Sequence, residues 1–322
     1  MHTHGHPKSA HGHAHGRGHG HSHGHGPGHG HHGPEHHEGL AELLELDAEV
    51  LHDFHAGIFD WVRAHDPSGR VRRIADIGAG TGAGTLGLLA RFPDATVTAV
   101  DADEAMLRRL AGNAAARGAG ERVRTLRADL DAGWPAGPAG LDGPDGLDGL
   151  DRLDGLDRLD LVWAANSMHH MADPARVLAD IRAALAPDGL LALAELDAFP
   201  RFLPEGAEGG LEERCHAAMA RRREQDMPHM GDDWAAALAG AGLKVEAERR
   251  FEVALSAPLP EAAARYAHAS LSRTRQGLAD LLDPADVAAL DELLGDGPRS
   301  VRRRADLTVR AARTVWIARP VS

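Results

Sequence analysis

The stretch IADIGAGTGAGT, residues 74–85, limits this chain more than any other feature. An apolar run feeds into a loop holding Gly78, Gly80 and Gly82, and a helical pattern follows. Glycines at such a junction let backbone approach a ligand closely, and the amides of the first helical turn then face it. Two ligands suit the loop on spacing alone. Gly78-x-Gly80-x-x-Ala83 reads as a dinucleotide fingerprint, and Asp76-x-Gly78-x-Gly80-x-Gly82 reads as a loop for a smaller nucleoside.

The pattern around the loop alternates. Strands are expected at 71–77, 96–101, 123–128, 159–164 and 190–195. Helices are expected at 85–91 and 104–116, with another opened by Asp173-Pro174 and closed at Pro187-Asp188-Gly189. Further on, helices at 211–223, 233–241, 260–272 and 284–294 accompany strands at 244–253 and 307–318. Strands separated by helices imply an α/β fold: a doubly wound, mostly parallel, seven-stranded Rossmann-like sheet. The helices between the last two strands exceed what a sheet connection needs, so they are assigned to a helical cap over a substrate. Ahead of the sheet, Leu40, Leu43, Leu44, Leu51, Phe54, Ile58 and Val62 fall at helical spacing and predict one helix. With His52, His55 and Trp61 it is read as a lid over the ligand or as an amphipathic packing helix. The expected organisation is a tail at 1–39, a lid helix at 40–69, a ligand-binding core at 70–200, and cap helices plus closing strands at 201–322.

Two segments stand apart. Residues 1–39 hold 15 of the 23 histidines, alternating with glycine, and cannot bury apolar area, so they are expected to be disordered. Neutral imidazoles bind nickel or zinc, which makes His19, His21, His23 and His25 candidate ligands in the tail. No metal site is expected in the core. Residues 141–160 repeat Leu-Asp-x, with Asp recurring every three residues from Asp142 to Asp160. That period drifts around a helix and builds no apolar stripe, so 137–159 is read as a solvated low-complexity insertion.

The formal charge is −13, and residues 1–40 contribute nothing to it, since Lys8 and Arg17 balance Glu35 and Glu38. An acidic body argues against nucleic acid as a partner. No run approaches a membrane span, and one cysteine, Cys215, allows no internal disulfide. These features predict a cytoplasmic protein with neither membrane nor nucleic-acid partners, and leave its oligomeric state open.

The acids decide the ligand. A carboxylate two residues before Gly78 is unhelpful beside a pyrophosphate but suits a cationic amino group, as S-adenosylmethionine carries. Asp101, ending the second strand, can accept ribose hydroxyls, a feature that also fits NAD. Asp129, after the third strand, can accept from an adenine amine while the Leu130 amide donates to the ring and Met106 packs on its face. The matching stretches are DIGAGTG 76–82, AVDAD 99–103, ADL 128–130 and DLVWAANSMHHM 160–171, followed by DPARVLADIRAALAPDGLLALAEL 173–196. On these the chain resembles class I S-adenosylmethionine-dependent methyltransferases of the small-molecule type.

The resemblance implies that Asp76, Gly78, Ala79, Gly80, Gly82, Asp101, Ala102, Met106, Asp129, Leu130 and Asn166 hold S-adenosylmethionine. It also implies that a small-molecule oxygen, nitrogen or carbon nucleophile accepts the methyl group. A base is needed only where that nucleophile carries a proton that must leave. His169 and His170 follow the fourth strand, where such a base belongs; the alternative has one of them packing structurally. Two rival functions stay open: a metal-handling protein acting through its tail, and a nicotinamide-dependent reductase.

Overall fold

The computed structural model describes residues 34–135 and 156–321. Residues 1–33 of the histidine tail, with its candidate metal ligands, and most of the Leu-Asp repeat lie outside them; residues 34–39, expected to be disordered with the tail, instead open the first helix. The chain enters through α1 (Pro34–Val50) and α2 (His52–Ala64) and then alternates: β1 (Arg73–Ile77), α3 (Ala83–Arg91), β2 (Thr96–Asp101), α4 (Glu104–Ala116), β3 (Val123–Arg127), β4 (Leu159–Ala165), α5 (Pro174–Ala184) and β5 (Leu185–Arg201). It closes with α6 (Leu211–Asp226), α7 (Trp234–Gly240), β6 (Leu243–Leu255), α8 (Ala263–Gly277), α9 (Pro284–Leu294) and β7 (Val309–Pro320).

The seven strands run in the order β3-β2-β1-β4-β5-β7-β6. The first five are parallel, and β7 lies antiparallel to both β5 and β6, so the sheet is mixed at one side. Parallel strands need both faces covered. On one face Ile74, Trp163, Ala192 and Ile317 meet Leu46, Phe54, Ile58 and Leu88 of the first three helices, together with Tyr266 and Leu290. On the other, Ile77, Val162, Leu191 and Leu193 meet Val177, Leu178 and Ile181 of α5 and Trp234 of α7. The strand order reverses between β1 and β4, and a crevice opens at such a point above the carboxyl ends of the strands.

Three expectations need correction. The single helix from Leu40 to Val62 is broken at Leu51 (φ −100°, ψ 26°). Its buried positions are Leu46, Val50, Leu51, Phe54, Ile58 and Val62, and the stripe slips by one residue between Val50 and Leu51. The bend keeps both halves on the core. α5 closes at Ala184, earlier than Pro187-Asp188-Gly189. Leu185 already pairs with Leu159, and the ladder resumes at Leu161 and Leu190 after an irregularity. Gly189 permits this, since a Cβ there would lie 2.5 Å from the Leu159 carbonyl oxygen. The insertion also ends before residue 159. Leu156 and Leu159 are buried, the Trp134 indole donates to the Leu156 carbonyl (2.9 Å), and Asp160 accepts from the amides of Arg72 and Arg73.

The lid reading needs dividing as well. α2 packs against α3 and β6. Its Trp61 meets Phe251 of β6 edge to face, and its Phe59 packs where α3 offers Gly87. The turn that reaches the loop belongs to α1: Leu44 Cδ1 lies 3.1 Å from the place of a Gly80 Cβ. α1 is held by a buried cluster. Asp47 Oδ2 accepts from Arg313 (2.8 Å) and bonds the His55 ring (2.9 Å), and Oδ1 accepts from the Tyr266 hydroxyl (2.7 Å). Burial alone would raise the Asp47 pKa, but the Arg313 guanidinium and these hydrogen bonds hold it well below the usual carboxylate range.

The α2–α3 contact is sharp enough to test. A Cβ on Gly87 would sit 2.1 Å from Phe59 Cε2. Gly87→Ala should therefore destabilise by about 1–3 kcal/mol through overpacking, against about 1 kcal/mol gained in helix propensity. A lower urea midpoint checks this; an unchanged or higher one refutes the contact.

Candidate active site

The glycine loop has left-handed backbone at Gly78 (φ 67°), Gly80 (φ 52°) and Gly82 (φ 92°), which side chains rarely adopt. The amides of Gly78 and Ala79 donate to the Val100 carbonyl, tying the loop to the end of β2. Asp101 holds it from below: one oxygen accepts from the Gly80 amide (2.8 Å) and the other from the Asp103 amide (2.9 Å). Asp101 is not the cap of α4. Asp103 fills that place, accepting from the Ala105 and Met106 amides. Burial pushes the Asp101 pKa upward.

The remaining ligand candidates line the same end of the sheet. Met106 and Leu130 are buried, while Ala102 and Asp129 are exposed. The Ala128 amide donates to the Asp101 carbonyl, which joins the ends of β2 and β3, and Asp129 accepts from the Asp131 amide. These contacts leave the Asp129 carboxylate on an open turn.

Asp76 is turned toward the helix that follows the loop. Its carboxyl is 2% exposed and faces the first turn of α3, where the Thr85 hydroxyl donates to it at 2.6 Å. The Thr85 amide donates to it as well, which satisfies one of the otherwise unmade groups of the helix start. No cation offsets its burial, and nearby Asp101 adds a like charge, so its pKa is pushed up to about 7.

After β4 the chain turns back over the loop. Asn166 has left-handed backbone (φ 51°), and its amide donates to the Ala194 carbonyl. Its side-chain oxygen is buried and has no hydrogen-bond partner among the described residues. Ser167 donates to the Ile77 carbonyl and fills the space beside Gly78, where a Cβ would come within 2.4 Å of it.

The two histidines separate. His169 is buried and its Nδ1 lies 2.6 Å from Glu195 Oε2. His170 is exposed, with its ring centroid 4.1 Å from that of His169. Glu195, within β5, is itself buried and its other oxygen accepts from the Met168 amide. The sequence reading left Glu195 out. Its only signal was a carboxylate ending the apolar run LLALAEL, at 190–196.

Among the described residues no His, Cys, Asp and Glu group could hold a metal, and no helix is long and apolar enough to cross a membrane. Cys215 is buried, and burial pushes its thiol up to about 11.

Residues 75–191 match a family model described as a methyltransferase domain. The curated proteins give no match. Among solved structures, geranyl diphosphate methyltransferase in complex with S-adenosylmethionine is 14% identical (TM-score 0.45), the overlap covering 87% of this chain and 90% of that one. The cyclase SpnF is 19% identical, with 83% and 82% covered and a TM-score of 0.43. The YcgJ protein of Bacillus subtilis is 15% identical, with 83% and 99% covered and a TM-score of 0.44. The family match spans the glycine loop, the acids ending β2 and following β3, and the turn after β4, in that order. Over residues 75–191 this chain is therefore similar to methyltransferase domains.

Proposed function

We propose that the chain moves a methyl group from S-adenosylmethionine to a small-molecule nucleophile that carries a proton. The observation behind this reading is the Asn166 side-chain oxygen, buried and without a partner among the described residues, one residue before the Ser167 that packs on Gly78. A buried acceptor left unmade costs about 1–3 kcal/mol, and a ligand ammonium would satisfy it. Asp76 and Asp101 add negative potential at the same edge. Asp101 also keeps acceptor capacity for ribose hydroxyls, since each of its oxygens accepts one amide and a carboxylate offers about four lone-pair sites. Met106 and Leu130 offer apolar surface to an adenine, and Asp129 an acceptor for its amine.

When bound, S-adenosylmethionine supplies a methyl group already activated by its sulfonium. The chain has to align the acceptor, keep water out and take up its proton. Glu195 accepts from His169 Nδ1, which fixes one tautomer and leaves Nε2 as the basic nitrogen. We assign the base to His169, with Glu195 as its positioning residue and His170 closing over the ring. Leu44 of α1 covers the loop from the far side of Gly80.

Calorimetry of the full chain with S-adenosylmethionine, and separately with NADH, tests the reading. Asn166→Gly keeps the left-handed backbone while removing the acceptor. S-adenosylmethionine should bind the parent at micromolar concentration and the variant about tenfold more weakly, as expected for one hydrogen bond to a charged group. Binding of NADH alone would overturn it.

A further inference from the structure

We infer that the chain has a second ligand site, for a small polyvalent oxyanion, in the crevice between α1 and α8. A cavity of about 490 Å³ opens there, lined by Glu42 of α1, by Arg265, His268, Arg273 and Gln276 of α8, and by Arg302. The α8 residues recur at helical spacing, so they share one face. Three guanidiniums meet one carboxylate in a chain whose net charge is −13. Glu42 pairs with Arg265, at 3.5 Å, and both side chains are exposed.

The other two arginines carry the argument. His268 Nε2 lies 3.1 Å from the Leu294 carbonyl oxygen, which can only accept, so Nε2 bears the hydrogen. Nδ1 is then free to accept from Arg302 Nη2 at 3.2 Å. A neutral histidine thus aims Arg302 without neutralising it. Arg273 is half-buried, and no hydrogen bond or ion pair reaches it among the described residues; burial pushes its pKa down with nothing opposing. A guanidinium keeps its charge, and a charge taken from water needs a counter-charge. The planar forks of Arg273 and Arg302 suit a phosphate or carboxylate group.

This site is separate from the methyl-transfer crevice. Leu44 faces the glycine loop and Glu42 faces the cavity, and two residues span about 200° around a helix. The site therefore lies across α1 from the loop and takes a different ligand from the methyl donor.

Calorimetry of the full chain with pyrophosphate, and separately with citrate, is the test. It is run at pH 8, where tail imidazoles are neutral, and at low ionic strength, where screening is weak. At least one of the two anions should saturate a single site. Preference for pyrophosphate would name a phosphate ester as the ligand, and preference for citrate a polycarboxylate. Arg273→Gln and Arg302→Gln should each weaken that binding about tenfold or more, the worth of a charge-assisted hydrogen bond. Arg249→Gln, on β6, should not. S-adenosylmethionine should bind all three variants as it binds the parent, which separates loss of this site from loss of the fold. The inference fails if neither anion titrates, or if both cavity variants bind like the parent.

Discussion

His169→Gln should lower kcat by about 10²–10⁴-fold, the usual share of a positioned general base. Turnover is followed as S-adenosylhomocysteine formed with any hydroxyl-bearing acceptor that supports it. The amide can still donate to Glu195, so the buried carboxylate keeps a partner and the variant should melt close to the parent. Affinity for S-adenosylmethionine should hold, because the proposed base acts on the acceptor and not on the methyl donor. Glu195→Gln tests positioning separately. It should cut kcat about tenfold or more without moving the acceptor KM, since a misoriented imidazole loses rate before it loses binding. His170→Ala should do neither. Full turnover by His169→Gln would remove the base from the proposal and leave the acceptor a nucleophile that needs none.

The same pair shows where sequence reading stops. Glycines at 78, 80 and 82, an acid ending β2 and another after β3 are legible because each falls at a strand end, and strand ends follow from apolar periodicity. His169 and Glu195 lie 26 residues apart and meet only because β4 and β5 pair in one register, which also brings the Asn166 amide to the Ala194 carbonyl. Register is a tertiary outcome, and no local pattern announces it. The bend at Leu51 is similar: a one-residue slip between Val50 and Leu51 is visible in hindsight, but the core that makes it matter comes from β7 and α8. The Leu-Asp run misleads for the opposite reason. Its repeat is uniform in sequence, yet its last members are held in place: Leu156 and Leu159 reach the core, and Asp160 accepts from the Arg72 and Arg73 amides at the start of β1.

Asp76→Asn should make the ligand-free protein more stable at pH 8, and by a clearly smaller margin at pH 5. The carboxyl is buried without a counter-charge, and its pKa rises from the ordinary 3.8 to about 7. Between those values the folded protein holds a proton that the unfolded chain has released. Stability contributed by this group therefore falls as pH rises through that window. The full loss by pH 8 corresponds to about 4 kcal/mol at 1.36 kcal/mol per pH unit, and relaxation of the site brings the expected gain to about 2–4 kcal/mol. Asparagine keeps an acceptor for the Thr85 hydroxyl and cannot ionise, so the start of α3 should survive. Urea unfolding of parent and variant at the two pH values isolates the group, since every other titrating residue is common to both. A parent no less stable relative to the variant at pH 8 than at pH 5 would mean that the carboxyl is not uncompensated. The binding side has the opposite sign. A cationic ligand favours the ionised carboxylate, so S-adenosylmethionine should stabilise the parent more at pH 8 than at pH 5 and should bind Asp76→Asn more weakly at pH 8. Strained and unneutralised groups collect where a ligand completes them. A stabilised variant that binds poorly is what this loop should yield if the charge at Asp76 is kept for the donor's ammonium, whereas a variant that gains stability and binds equally well would reduce Asp76 to a cap for α3.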